Sequence, residues 1–384
     1  MHRYRRSVLY IGVFGAFALS SGAAWSLQGP PIIAVEQPAG GRTLIQWDPG
    51  EVRCGGMVVT GQPIRRPWNQ MGWIGSQAPR TLTLHFAIDA SGRPVSLSHE
   101  TPGYMPFAED VAPALAASRF APGEPRDGCT ITFTLRSTPL AQAAVPELVS
   151  YTLQPLSGVL PEEGWKRIRE AGGTCLQDPQ PQPLERHFPD FATIPATPGV
   201  RDWSMVRYDL DAAGKPRALA ILTGTGNRAL DAAALKAIRE SRFTKGARTG
   251  CLYPYWRGAA KLPAPDMPEA IRATKVEGGT CPDEHGWAVP PQLRYPQAYR
   301  RRSIEGWAVV RYDVAPWGET GNWKVVVAQP SDDFGTQAVA MIRAARLPTN
   351  GAGYTGCVDR VRFVMGPERT PSPGGEGAST DPQS

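Results

Sequence analysis

A chain of 384 residues with 41% hydrophobic content is long enough for about three ordinary domains and apolar enough to pack a core in each. Its 41 glycines and 39 prolines imply many turns and exclude a bundle of long helices. The formal charge is +6, of which Arg3, Arg5 and Arg6 supply three; the remaining +3 is spread too thinly to make a nucleic-acid-binding surface.

Residues 1–26 read as an export signal. His2 to Arg6 is a basic start, Val8 to Ala24 is uncharged and mostly apolar, and Gly22-Ala23-Ala24 or Ala24-Trp25-Ser26 offers a cleavage site. The alternative is an uncleaved inner-membrane anchor through residues 8–24, at the short end of the roughly 17–25 residues a spanning helix needs. Either route delivers the rest of the chain to the periplasm. No cysteine lies near the signal, so a lipoprotein is not expected.

Three stretches then repeat one order of elements. In the first, residues 29–136, the part through Trp73 has no clear assignment. After it come a strand at Leu82–Ile88, a turn at Asp89–Gly92 and a returning strand at Pro94–His99. A helical stretch ends near Arg119-Phe120, and Pro113 inside it implies a late start or a kink. Thr130–Leu135 alternates as a further strand. The second stretch, residues 146–257, has strands at Trp203–Leu210 and Arg217–Thr223 around Asp211–Gly214. A helix follows over Leu230–Phe243, then a Tyr- and Trp-rich strand in which Pro254 demands an edge or a bulge. The third, residues 265–365, has strands at Glu305–Val314 and Trp323–Ala328 around Ala315–Gly318, a helix near Phe334–Leu347 and a last strand at Val358–Met365. Residues 366–384 are Pro, Gly, Ser and acidic, the composition of a disordered tail.

The wording of the first strand recurs. Trp307-Ala-Val-Val-Arg-Tyr-Asp-Val314 repeats Trp203-Ser-Met-Val-Arg-Tyr-Asp-Leu210, and Thr81–Ile88 is a looser copy. Six cysteines follow the same beat. Cys54 and Cys129 are 75 residues apart; Cys175 and Cys251, and Cys281 and Cys357, are each 76 apart. Gly128, Gly250 and Gly356 precede the second members, and Gly-Gly-Thr precedes both Cys175 and Cys281. The repeat therefore predicts Cys54–Cys129, Cys175–Cys251 and Cys281–Cys357, one bridge per module. Without a CxxC or a paired His, zinc and redox roles are not expected.

The helices align too: Phe107, Val111, Leu115 and Phe120 match Leu230, Ala234, Ile238 and Phe243, and these match Phe334, Ala338, Ile342 and Leu347. That spacing keeps one apolar face for the core and marks no cofactor site. The expected fold class is α+β: three tandem modules, each an antiparallel sheet with one helix on a face.

The third module resembles the C-terminal domain of TonB energy transducers. Tyr295-Pro296 followed by Ala298 matches that family's opening, and Glu305-Gly306 precedes the Val-Arg-Tyr-Asp-Val strand. The second module keeps Phe188-Pro189 and Arg242-Phe243; the first keeps the hairpin and Arg119-Phe120. A transducer of this family is expected to carry a polar residue in its membrane anchor and a long Pro-rich spacer. Residues 8–24 hold no His or acidic residue, and Gln180-Pro-Gln-Pro183 is only a fragment of a spacer.

No His-Glu-x-x-His, Gly-x-Ser-x-Gly or phosphate loop is present, so neither an enzyme nor a cofactor is expected. His85, Arg207 and Arg311 share one register on the polar side of the first strand, most simply a solvated face. The tryptophans read as packing between sheet faces and modules. The resemblance implies a periplasmic binding protein that takes an extended peptide from an outer-membrane receptor, or another envelope protein, as an added strand. On that implication the receiving edge is Val358–Met365. Val358, Arg360, Arg362 and Val364, with Tyr295 and Arg311, are the candidate partner-binding residues. The rival expectation is an envelope scaffold that binds peptidoglycan and couples to no receptor.

Overall fold

The computed structural model describes residues 41–59, 64–73, 80–100, 105–282, 284–349 and 351–366. Residues 1–26, read above as an export signal or an anchor, and the tail from residue 367 lie outside these residues. Among the described residues no helix is long and apolar enough to cross a membrane.

The stretch that carried no assignment supplies four strands: Thr43–Pro49 (β1), Arg53–Cys54 (β2), Met57–Val58 (β3) and Gln70–Gly72 (β4). Thr81–Ile88 (β5) and Pro94–His99 (β6) form the expected hairpin. A six-residue helix, Val111–Ala116 (α1), carries Pro113 near its start, where a missing amide proton costs nothing. The long strand Arg126–Pro139 (β7) passes the expected boundary at 136 and sits inside the sheet, with β5 on one side and β1 and β2 on the other. Helices Val145–Leu153 (α2) and Glu162–Ile168 (α3) lead to the next region.

The second region contains Pro183–Glu185 (β8), Asp202–Leu210 (β9), Pro216–Gly224 (β10), helix Arg228–Glu240 (α4), Arg242–Phe243 (β11) and Arg248–Arg257 (β12). The third contains Glu269–Arg272 (α5), Gln297–Arg301 (α6), Gly306–Val314 (β13), Thr320–Gln329 (β14), helix Asp332–Ala344 (α7) and Tyr354–Phe363 (β15). The sheets β10-β9-β12 and β14-β13-β15 are both antiparallel with the first strand central. Pro254, which cannot donate to a ladder, lies on β12 at the rim of its sheet.

One joint recurs in all three regions. The hairpin-turn glycines Gly92, Gly214 and Gly318 all have positive φ. Their carbonyls accept the amides of Phe120, Phe243 and Leu347 at 2.8, 3.0 and 3.0 Å. A β-carbon on these glycines would sit 2.2, 2.1 and 2.2 Å from the carbonyl oxygens of the same three residues, so only glycine fits. This joint corrects the helix ends. Phe120, Phe243 and Leu347 are core residues, but each lies beyond its helix. Its amide must reach the turn, which requires extended backbone there. Phe107 also lies outside its helix, at φ 62° and four residues ahead of α1.

The cysteines pair as the repeat predicts: Cys54–Cys129, Cys175–Cys251 and Cys281–Cys357. Around the last two bridges the hydrogen bonds match one for one. Thr174 and Thr280 donate their amides to Thr249 and Thr355, each at 3.0 Å. Gly250 and Gly356 donate theirs to the Asp209 and Asp313 carboxylates, each at 2.8 Å.

The three regions are fused. Helix α7, the helix face of β13 and the core of the first sheet form one continuous apolar cluster that includes Leu97, Val111, Leu115, Val310, Phe334 and Ile342. The second region has its own core around Val206, Leu230 and Ile238. Trp203 and Met205, on the opposite face of β9, pack with Leu44, Met71, Leu148 and Ile168 from β1, β4, α2 and α3. At the junction lies Arg302, with its side chain 2% exposed. Its Nε donates to Asp110 Oδ1 at 2.7 Å and its Nη2 to Asp110 Oδ2 at 2.5 Å. Further bonds reach the carbonyls of Arg66 (3.1 Å) and Gly199 (3.4 Å), and the guanidinium lies 5.1 Å from the centre of the Trp68 ring. One side chain therefore ties together residues from all three regions.

Candidate strand-binding edge

The site is built from β15 and the surfaces that flank it. β13 lies in the middle of its sheet, so its side chains divide cleanly between two faces. Ala308, Val310 and Tyr312 join the core under α7. Trp307 and Val309 face the other way and pack with Met267, Ile271, Val327 and Val358, so the segment carrying α5 covers that part of the second face. Trp307 Nε1 donates to the Pro265 carbonyl at 2.7 Å, which fixes the cover in place.

β15 pairs with β13 along one side only, from Phe363 opposite Gly306 to Cys357 opposite Tyr312. On its outer side, the Thr355 carbonyl accepts the amides of Thr280 and Cys281 at 3.0 and 3.2 Å. Among the described residues no strand and no loop backbone bonds to the outer side from Val358 to Arg362. This is an open edge of the kind that accepts a further strand.

The first region shows that edge filled. β7 is the strand that carries the second cysteine there, as β15 does in the third region. Residues 43–54 run along its outer side: Thr43 to Pro49 lie opposite Pro139 to Phe133, Gly50 donates to the Thr132 carbonyl at 2.9 Å, and Arg53 and Cys54 lie opposite Thr130 and Cys129. The added strand is antiparallel. Its Asp48 carboxylate accepts from Arg136 Nε on β7 at 2.8 Å. In the second and third regions the corresponding stretch before the first cysteine winds into α3 or α5 and leaves the edge. Between these two regions, β12 differs from β15 in carrying Pro254 at mid-strand, where the backbone has no proton to offer.

The candidate residues divide on this geometry. Val358, Arg360 and Arg362 lie on β15, on the face that also carries Arg311, which is directly opposite Val358. Val364 lies beyond the end of β15. The chain leaves the ladder there because the Met365 amide is drawn to Glu305 Oε1 at 2.8 Å. Tyr295 turns inward: its hydroxyl donates to the carbonyl of Ile304 at 2.7 Å and lies 3.2 Å from that of Phe363, and its ring packs against Phe334 and Phe363. Burial pushes the Tyr295 hydroxyl pKa upward, and the Glu305 charge adds to this. Tyr295 closes the foot of the edge, and neither it nor Val364 lines the open stretch.

Arg207 and Arg311 share a register and an exposed position, as does His85. Arg207 has a carboxylate near it, Glu170 at 3.7 Å, whereas Arg311 forms no ion pair among the described residues.

A second cluster escaped the sequence reading. Tyr312 donates its hydroxyl to Asp359 Oδ2 at 2.9 Å, and His285 Nε2 lies 3.0 Å from the same hydroxyl and 3.6 Å from Asp359 Oδ1. Burial raises the Tyr312 hydroxyl pKa, and the Asp359 carboxylate raises it further. The Trp287 ring lies near both His285 and Tyr312, so the cluster braces the loop after Cys281 against the start of the edge strand. Among the described residues no group of His, Cys, Asp and Glu is placed to hold a metal.

Residues 291–364 match the family described as Gram-negative bacterial TonB protein C-terminal. The match falls within the third region and covers about a fifth of the chain. The match starts just before Tyr295 and ends one residue past β15, so it contains the whole sheet, α7 and the open edge. Domains of this family act in protein interaction rather than catalysis. No curated protein matches the chain.

Proposed function

We propose that the chain is a periplasmic protein of three tandem TonB C-terminal-like modules, residues 29–136, 146–257 and 265–365. In this reading the third module takes an extended peptide from an outer-membrane receptor as an added antiparallel strand on β15. The observation that carries the proposal is β1 on β7. The molecule already holds a strand on the equivalent edge of its first module, and that edge stands open in the third. The family match over residues 291–364 supports the same mode of recognition.

The first two modules serve as a mount. Arg302, Asp110 and the Gly199 loop lock the third module to its neighbours, so the open edge is presented from a rigid body. Coupling to energy from the inner membrane further requires the anchor alternative at residues 8–24.

Photo-crosslinking tests the reading. A crosslinking residue at position 360 or 362, in the envelope of the producing cell, should capture an outer-membrane β-barrel receptor. The same residue at position 252 on β12 should not. Capture from β12 alone, or no envelope protein captured from β15, would refute the assignment.

A further inference from the structure

The open edge is charged on one face only. Arg311 and Lys324 lie directly opposite each other across β13 and β14, and Arg360 and Arg362 lie on the same face of the neighbouring β15. All four are exposed, and none forms an ion pair among the described residues. Like charges directly opposite in a sheet are unfavourable, so an Arg–Lys pair beside two more arginines is a face short of counter-charge. Of the acidic neighbours, Asp313 interacts with Arg311 at the far end of that face while its oxygens accept from the Gly356 amide and from Asn322, and Asp359 points to the other face, toward Tyr312 and His285. Arg360 donates one Nη2 bond to the Thr274 carbonyl at 2.8 Å, a neutral contact that orients the guanidinium without cancelling its charge.

From this we infer that the β15 edge selects an acidic strand, with carboxylates at alternate positions aimed at Arg360 and Arg362. The inference rests on the strand-addition reading and adds its specificity. An antiparallel strand sets one residue opposite Arg362, the next opposite Val361, and then residues opposite Arg360, Asp359 and Val358 in turn. Alternation puts the first, third and fifth on the cationic face. The pattern from the ligand's N-terminus is therefore acidic, apolar, acidic, polar, apolar. The last position packs near Val358, which belongs to the apolar patch with Met267 and Trp307. The first module holds an instance of the same chemistry, since the added strand β1 presents Asp48 to Arg136 of the strand that receives it.

The test uses the oxidised full chain and three synthetic peptides: acetyl-Ser-Asp-Val-Asp-Ser-Val-Ser-amide, the same peptide with both Asp replaced by Asn, and the same with both replaced by Lys. Affinities come from calorimetry at low and high salt, and the bound edge from amide hydrogen exchange over residues 358–363. Two exposed ion pairs near the middle of their usual range multiply to about a tenfold preference for the Asp peptide over the Asn peptide. That preference should collapse at high salt and in the double variant R360Q/R362Q, while the Asn peptide binds both proteins alike. Equal binding of Asp and Asn peptides with protection at 358–363 would overturn the charge selection and leave strand addition standing. A preference for the Lys peptide, or an Asp preference that survives R360Q/R362Q, would overturn the assignment to these arginines. Failure of all three peptides to bind would overturn both readings.

Discussion

Arg302→Met should destabilise the whole molecule rather than the third region alone. The substitution keeps apolar bulk and removes the charge. The Asp110 carboxylate, on a residue 1% exposed, is then left with the Trp68 amide at 2.7 Å as its one hydrogen bond among the described residues. Breaking a buried pair by removing one partner costs about 3–5 kcal/mol, because the remaining charge has neither water nor counter-ion. Proteins of ordinary stability have about 5–15 kcal/mol in all, so the loss would be a large share of it. Urea unfolding of the oxidised protein, followed by tryptophan fluorescence, measures the change. The double variant Arg302→Met/Asp110→Asn keeps an oxygen for the Trp68 amide and buries no charge. It should therefore recover most of the loss. A second readout is cooperativity: wild type should lose all three regions together, and Arg302→Met should separate them. A single variant within about 1 kcal/mol of wild type, or a double variant no better than the single, would refute the stranded-charge reasoning.

Two further outcomes follow from the repeated joint and the cystine turn. Gly318→Ala should cost about 1–3 kcal/mol or more in urea unfolding, because φ is +91° and the new methyl meets the Leu347 carbonyl at 2.2 Å; no loss would mean that this turn is not rigid. The Gly356 amide, Asn322 and Arg311 hold Asp313 below the usual aspartate pKa, with the amide contributing most; the folded value is thus depressed, and its stabilisation is full above about pH 4 and fades as pH falls further. Asp313→Asn should remove that component and flatten the acid side of the unfolding-midpoint profile, and an unchanged acid slope would count against the contact.

The hairpins and bridges were legible in the sequence because local chemistry fixes them. A glycine that must adopt positive φ, an alternating strand and a cysteine after glycine each leave a mark at a constant offset. The strands of residues 43–72 left none. β1 lies between β7 and β4 under the second region, and Leu44 to Trp47 are all buried, so the alternation that betrays a half-exposed strand is missing. Arg302 stands in the run Arg300-Arg-Arg302, which reads as a solvated helix end; its carboxylate partner is 192 positions away, and only the folded chain brings them together. His285 and Asp359 met for the same reason. The receiving edge itself was placed by resemblance, whereas its emptiness and the crowding of charge on one face depend on register, which sequence does not state. Tyr295 and Val364 show the limit of that placement: one is drawn into an aromatic cluster and the other follows the chain away from the ladder.

The equivalent edge meets a different fate in each region, and the differences form a series. In the first, the residues ahead of the cysteine stay extended and cap the edge. In the second, they fold into α3 and clear it, but Pro254 breaks the row of donors. In the third, α5 clears it, the strand after the cysteine has a full set of amides, and the flanking face is cationic. A sheet that left such an edge exposed without use would invite self-association, which is why edges are commonly capped or interrupted. Two of the three regions carry one of those safeguards. The third lacks both and has four exposed cations in their place, which discourage pairing with another copy of itself while leaving the backbone open to an acidic strand. Protection by charge, rather than by a cap, fits an edge kept for a partner.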